Sequence, residues 1–102
     1  MAMGNLNCYV VSYDIREQKR LCRVHKAMLG FGEPVHYSVF ICHLTPHGKV
    51  EMIASLSDLI EADADRIMII DMGPSDGRVK ERIVFLGSHD QKIEHGGKVI
   101  IV

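Results

Sequence analysis

The amino-acid sequence predicts an α+β fold, a two-layer sandwich in which two helices cover one face of a sheet. Two observations lead to this prediction. Apolar, β-prone runs alternate with two segments of helical periodicity, and consecutive strands joined by helices favour helices packed on one face. The 102 residues suffice for one domain with one core. The content of 47% hydrophobic and 25% charged residues is typical of a soluble globular chain.

The first predicted strand covers residues 8–15, where valine, tyrosine and isoleucine favour a pleated, packed surface. It brings Asp14 to the surface immediately before a segment rich in cations. A carboxylate beside cations indicates a site for a metal and a phosphate. Aspartate is also a good N-cap for the helix that follows, and the pattern alone favours that cap.

The first helix is predicted over residues 16–29. Leu21, Val24, His25 and Met28 follow the spacing of one buried face. Few acidic side chains lie four residues from the helix cations, so these cations fit a nucleic-acid surface as well as a solvated face. The net charge of −1 does not exclude this, because acids are concentrated in residues 51–65. Five cations lie on the other faces of this helix: Arg16, Lys19, Arg20, Arg23 and Lys26.

Residues 34–44 form a second extended region, which could be one bent strand or two short strands meeting near Tyr37 and Ser38. The second helix is predicted to begin with Thr45 as N-cap and Pro46 in its first position. If residues 34–44 hold two strands, the order of elements is the ferredoxin-like βαββαβ arrangement. The buried stripe of the second helix is predicted to contain Met52, Ile53, Leu56, Leu59 and Ile60.

Additional C-terminal strands are predicted after this core. Residues 1–86 are expected to form the ferredoxin-like domain, and residues 87–102 a linker and a terminal strand. The apolar end of the chain, residues 98–102, is expected to pair with a sheet edge. The segments between the second helix and the linker are predicted to be a strand over residues 65–72, a loop over 73–77, a cationic patch of Arg78, Lys80 and Arg82, and a short strand over 83–86.

Composition also argues against several classes of protein. No apolar run approaches the ~20 residues needed to cross a membrane, and the first residues do not resemble a signal peptide. The three widely spaced cysteines favour a reducing cytoplasm over a disulfide framework. His43 and His47 could share a helix face, but Pro46 and Gly48 interrupt that helix, so a zinc site is not favoured.

Three segments, in this order and spacing, resemble the Cas2 family of CRISPR-associated proteins. They are Val-Val-Ser-Tyr-Asp-Ile at residues 10–15, Lys-Arg-Leu-Cys-Arg-Val at 19–24, and Gly-Phe-Gly-Glu-Pro-Val-His-Tyr-Ser-Val-Phe at 30–40. The resemblance covers roughly residues 7–86. Two positions depart from the family pattern: His36 stands where glutamine is typical, and the segment around Cys42 lacks a glutamate that many members carry.

The resemblance implies a homodimer in which the terminal strand of each subunit is added to the partner's sheet. It also implies a role in CRISPR spacer acquisition beside the Cas1 integrase, as an adaptor that bridges two integrase dimers. Some members of the family are magnesium-dependent nucleases that act on RNA or double-stranded DNA. Asp14 occupies the position of the family's aspartate at the end of the first strand.

Cleavage of a phosphodiester would require a metal ion, and Asp14 is the one convincing carboxylate for both catalysis and metal binding. A two-fold axis could bring two copies of Asp14 together around one Mg²⁺ or Mn²⁺ ion. Ser38 and Tyr13 could position water or phosphate, although ordinary strand packing explains Tyr13 better. The residues expected to bind nucleic acid are Arg16, Lys19, Arg20, Arg23, Arg78 and Lys80.

Three functional hypotheses therefore remain open. The protein is a metal-dependent nuclease that needs Asp14, or a DNA-binding scaffold without catalysis in which Asp14 is structural. The third hypothesis is an RNA-recognition module of the same topology. It is the weakest, because Tyr37 and Phe40 lack the sequence context of an aromatic RNA-binding platform.

Overall fold

A computed structural model describes residues 5–76, 78–87 and 98–100, with Lys80 and residues 98–100 described by their backbone alone. The order of elements confirms the predicted α+β class. The strands and helices are β1 (Asn7–Asp14), α1 (Gln18–Met28), β2 (Glu33–His36), β3 (Val39–Leu44), α2 (Pro46–Leu59), β4 (Arg66–Pro74), a 3₁₀ turn (Val79–Arg82), β5 (Val84–Leu86) and β6 (Lys98–Ile100).

The main sheet has the strand order β2-β3-β1-β4, and every neighbouring pair is antiparallel. This order with two intervening helices is the ferredoxin-like arrangement. Residues 34–44 therefore belong to two strands, joined by a turn at Tyr37 and Ser38. The turn is anchored to the central strand, since the Tyr13 backbone N–H donates to the Ser38 carbonyl at 3.1 Å.

Both faces of the sheet are covered over its central strands. On one face, α1 and α2 cover Tyr9, Val11 and Phe40 with Val24, Met28, Met52 and Leu56. On the other face, Val79 packs on Cys8, Val35 and Ile41, with Ile83 and Phe85 alongside. The apolar run at the start of β3 is thus buried from both sides.

The start of α1 differs from the sequence prediction. The N-cap is Glu17, whose carboxylate accepts hydrogen bonds from the backbone N–H groups of Lys19 and Arg20 at 3.0 and 2.9 Å. Asp14 is still part of β1, three residues before that cap, so the prediction that Asp14 caps the helix was wrong. A capping side chain must reach the free N–H groups of the first turn, and only the residue at the cap position does so.

The start of α2 is as predicted. Thr45 accepts a hydrogen bond from the Gly48 N–H at 3.0 Å, and Pro46 occupies the first turn. Met52 and Leu56 are buried as predicted, whereas Ile53 is 41% exposed, so its inclusion in the predicted buried stripe was wrong. Neither of the two helices that the structure describes is long and apolar enough to span a membrane.

The end of β4 differs from the sequence prediction. This strand continues through Gly73 and Pro74, which were expected to be loop residues. Pro74 pairs with Asn7 beyond an irregularity in the β1–β4 register, and β4 is an edge strand, where proline is tolerated.

The C-terminal strands form a separate two-stranded sheet, in which β6 pairs in parallel with β5 of the same chain. Most of the predicted linker, residues 88–97, and the last two residues, 101 and 102, lie outside the described residues. Addition of this terminal segment to a partner's sheet stays a prediction.

Candidate functional site

Three segments of the chain meet around Asp14 at one end of the sheet. Asp14 is the last residue of β1 and is exposed. On one side it pairs with Arg66 at the start of β4. On the other side, the β2–β3 turn is hydrogen-bonded to β1 through the Ser38 carbonyl. The strand end, the turn and a cation are therefore brought together by the sheet register.

A groove of about 540 Å³ opens between this sheet end and α1. We call it the Asp14 groove. It brings together Asp14, Tyr13 and Ser38, which the sequence analysis had singled out. The opposite wall is formed by α1 residues that lie three, four and seven positions after Gln18, together with Gln18 itself. This spacing is expected for one helix face. The groove is lined by Tyr13, Asp14, Ile15, Gln18, Leu21, Cys22, His25, Tyr37 and Ser38.

Tyr13 is held in place by His25. Its hydroxyl lies 2.8 Å from His25 Nδ1, and the side chain is nearly buried. The His25 ring in turn meets Phe40 edge to face, with centroids 5.4 Å apart. Burial raises the pKa of Tyr13 to about 12, so the phenol keeps its proton at physiological pH. Tyr13 is therefore better suited to packing and to hydrogen bonding than to carrying a negative charge.

Arg20 is engaged by an acid that is distant in sequence. Its Nε and Nη2 donate to the carboxylate of Asp65 at 2.8 and 3.1 Å. The same carboxylate accepts the backbone N–H groups of Arg16 and Glu61, and its side chain is inaccessible to solvent. Arg20 and these backbone donors hold the pKa of Asp65 well below its usual range, and the pair raises the pKa of Arg20.

Asp65 thus links the loop that follows Asp14 to the loop between α2 and β4. Local spacing reveals only acids about four residues from each cation, so this pairing across 45 residues could not be found from it. Arg20 was one of the predicted nucleic-acid contacts, but a ligand phosphate would have to compete with Asp65 for its guanidinium group.

Three other cations of α1 form a free stripe. Lys19, Arg23 and Lys26 are separated by three, four and seven residues, and all three side chains are exposed. Over the described part of the chain, none of them comes within 4.0 Å of an acidic oxygen. We call these residues the α1 cation stripe. Arg16, in the loop before the helix, is likewise exposed.

The second predicted cationic patch is separate from the groove. Arg78 and Arg82 both approach Asp76, at 3.8 and 3.2 Å, and all three side chains are exposed. A backbone hydrogen bond from Arg78 is the main reason why the pKa of Asp76 is lowered. The side chain of Lys80 lies outside the described part of the chain.

The described part of one chain supplies few ligands for a metal ion. Within residues 5–76 and 78–87, no three histidine, cysteine or acidic side chains are grouped closely enough to hold one. Among the described residues that line the groove, Asp14 is the single carboxylate. His43 Nδ1 lies 2.6 Å from the Ser75 hydroxyl, and His47 Nε2 lies 3.3 Å from a carboxylate oxygen of Glu51.

Two neighbours of Asp14 were missed by the sequence analysis. Arg66 could have been found from the predicted fold, because the start of β4 must lie beside the end of β1 in a ferredoxin-like sheet. Gln18 precedes Leu21, Cys22 and His25 by three, four and seven residues, which places it on the same helix face. This spacing could have identified Gln18 from the sequence as a neighbour of those residues.

Comparisons with known proteins agree with this architecture. The family described as CRISPR associated protein Cas2 matches residues 7–78. The CRISPR-associated endoribonuclease Cas2 1 of Rhodospirillum rubrum is 34% identical over 94 residues, which are 92% of this chain and 91% of that protein. The CRISPR-associated endoribonuclease Cas2 of Geobacter sulfurreducens is 38% identical over 79 residues, 78% of this chain and 82% of that one.

Solved structures show the same likeness. The crystal structure of Streptococcus pyogenes Cas2 superposes with a TM-score of 0.58 at 31% identity, over 62% of this chain and 82% of that chain. A hypothetical protein, TT1823 from Thermus thermophilus, gives a TM-score of 0.62 at 26% identity, over 71% and 84% of the two chains.

Proposed function

Since the chain belongs to the Cas2 family of CRISPR-associated proteins, we propose that it is a homodimeric nucleic-acid-binding adaptor. Its partner would be the Cas1 integrase, during spacer acquisition. The α1 cation stripe is the observation that carries this proposal. Three exposed cations at regular spacing, without acidic partners within 4.0 Å in the described residues, are suited to the phosphates of double-stranded DNA or RNA. The unpaired cysteines fit a reducing cytoplasm.

Exposed apolar side chains support the homodimer. Met68, Ile70 and Met72 alternate along the edge strand β4 and are 51%, 42% and 45% exposed. Their register opposite Ser12 and Val10 places them on the face away from the helices. An apolar edge strand of this length is normally covered, and a two-fold dimer would cover both copies at once. Val84 and Leu86 of β5 are also exposed, at 58% and 71%.

The dimer can be tested by removing the terminal strand. Deletion of residues 98–102 should shift the protein toward monomer or aggregate in sedimentation velocity. Met68→Lys should also weaken the dimer, because it places a charge in the proposed interface. A soluble, intact dimer in both variants would contradict this arrangement.

A second candidate activity is magnesium-dependent cleavage of RNA or double-stranded DNA at Asp14. The names of the relatives, which are endoribonucleases, and the exposed position of Asp14 in the groove support it. Two copies of Asp14 across the dimer axis would together supply the carboxylates for Mg²⁺ or Mn²⁺, which keeps several water ligands. The metal ion would supply an activated water and neutralise phosphate charge. Ser38 would then orient water or phosphate, and Tyr13, held by His25, would support the site through packing.

The Asp14→Asn variant distinguishes the adaptor hypothesis from the nuclease hypothesis. Asparagine removes the negative charge but keeps the size of the side chain. Because Glu17 and not Asp14 caps α1, the variant should melt like the wild-type protein. The nuclease hypothesis predicts loss of any cleavage that requires Mg²⁺. The adaptor hypothesis predicts normal binding of nucleic acid and normal spacer acquisition in cells, whatever happens to cleavage.

The decisive measurement is spacer acquisition in cells that carry only Asp14→Asn, together with pull-down of the integrase by the variant. Loss of acquisition while the variant still assembles with the integrase would make Asp14 chemistry essential, and the adaptor proposal would be wrong.

A further inference from the structure

The lining of the Asp14 groove contains more apolar surface than phosphate binding requires. Ile15 and Leu21 contribute aliphatic side chains, and Tyr37 of the β2–β3 turn contributes an aromatic ring. Tyr37 is 61% exposed, and the ring of His36 meets it edge to face at 4.9 Å. An exposed aromatic ring at the mouth of a groove offers a flat surface for another planar group.

Positive charge lies directly beside this apolar groove. Cys22, which lines the groove, is three residues from Lys19 and four from Lys26, so the α1 cation stripe runs along the groove's rim. An apolar groove bordered by free cations is complementary to a polyanion that carries flat, weakly polar groups. Nucleic acid with unpaired bases has this character, because every base has a face that can stack on an aromatic ring.

We propose that the Asp14 groove binds one unpaired nucleobase of a single-stranded segment, stacked on Tyr37, while the α1 cation stripe contacts the adjoining phosphates. This inference rests on the proposed nucleic-acid binding and adds a requirement for an unpaired strand at this site. A base in a continuous duplex cannot enter, because both of its faces are covered by neighbouring base pairs. The groove's volume of about 540 Å³ is in the range of sites for small organic ligands.

The polar groups of the groove can bind the edge of such a base. The Gln18 amide offers donors and an acceptor, and the Ser38 hydroxyl offers both functions. Phe40, two residues beyond Ser38, is fully buried and cannot extend the stacking surface. The site therefore holds one base, in contrast to the multi-base platforms of RNA-recognition modules.

Binding of a labelled single strand tests the inference. The probe is an oligonucleotide of about ten nucleotides that carries a fluorescent adenine analogue, whose emission falls when it stacks. With wild-type protein and Tyr37→Phe, we expect tight binding and quenching. Tyr37→Ala should weaken binding of the single strand by about five- to 150-fold and abolish the quenching, while duplex binding is unchanged. Val50→Ala, at a 64% exposed position of α2, is the matched control and should behave like wild type.

Thermal melting of each variant checks that the fold is intact. The inference is overturned if Tyr37→Ala binds and quenches the single strand like wild type, or if Tyr37→Ala weakens binding of a duplex as much as binding of the single strand. In either case salt-sensitive duplex binding would leave the proposed nucleic-acid function standing. Failure of wild-type protein to bind either form would overturn both.

Discussion

Two arginines of α1 carry the same charge but have different partners, and this difference predicts different effects on DNA binding. Arg20 is hydrogen-bonded to the buried carboxylate of Asp65, whereas Arg23 is exposed and belongs to the α1 cation stripe. We expect Arg23→Gln to flatten the log–log dependence of duplex affinity on salt. Arg20→Gln should leave that dependence unchanged, although both substitutions remove one positive charge.

The size of the effect follows from the release of counterions. Each lost phosphate contact should reduce the slope by about 0.9, which corresponds to about a 3.5-fold smaller loss of affinity between about 50 and 200 mM salt. Replacing all three residues of the α1 cation stripe should reduce the slope by about 2.7, or roughly fortyfold over that range. A duplex that contacts both subunits of a dimer would show about twice these changes in slope.

Fluorescence anisotropy of a labelled duplex across a salt series is the appropriate assay. It should be run well below the melting temperature of Arg20→Gln, which we expect to be lowered because the Asp65 carboxylate loses its main partner. Equal flattening by the two variants would show that Asp65 does not withhold Arg20 from DNA. No flattening by Arg23→Gln would show that the stripe is only a solvated face.

Two further predictions concern stability. The folded state holds the pKa of Asp65 below the ordinary value of about 4, so its ionised form stabilises the fold at neutral pH, and this stabilisation is lost as the pH falls below about 4. Urea midpoints should therefore fall less steeply with acid in Asp65→Asn than in wild type, and parallel curves would contradict this. Gly32→Ala should lower the melting temperature far more than Gly30→Ala. A Cβ at residue 32 would collide with the Ile41 carbonyl and Cys42 Sγ, whereas the nearest atom to a Cβ at residue 30 is the Ala27 carbonyl oxygen at 3.3 Å. Similar melting temperatures of the two variants would disprove this.

The parts of the fold that sequence patterns predict are those governed by local rules. Helical spacing identified the buried residues Val24 and Met28 of α1 and Met52 and Leu56 of α2. The Thr45–Pro46 start of α2 follows from the chemistry of capping. The pair of strands within residues 34–44 was left open, because the turn at Tyr37 and Ser38 contains none of the residues typical of tight hairpins. The segment forms two strands because β3 pairs with β1 on one side and with β2 on the other. This pairing depends on the whole sheet and not on the local sequence.

The candidate site was predictable where chain order sets the geometry. Asp14, Tyr13 and Ser38 meet because β1 and β3 are neighbours in the sheet. The pairing of Arg20 with Asp65 was not predictable from local spacing, since it depends on how the α2–β4 loop folds back against α1.

The hydrogen bond from Arg16 to Asp65 has a consequence for the order of folding events. It joins residues 49 positions apart, so it closes a loop around almost half of the chain, at a considerable cost in chain entropy. We therefore expect the direction of the loop after Asp14 to be fixed only once the loop between α2 and β4 has packed against α1. The charges of α1, by contrast, are present as soon as the segment emerges during synthesis. The proposed electrostatic attraction to nucleic acid thus depends on charges that the early chain already carries, whereas an ordered groove beside Asp14 requires the completed fold.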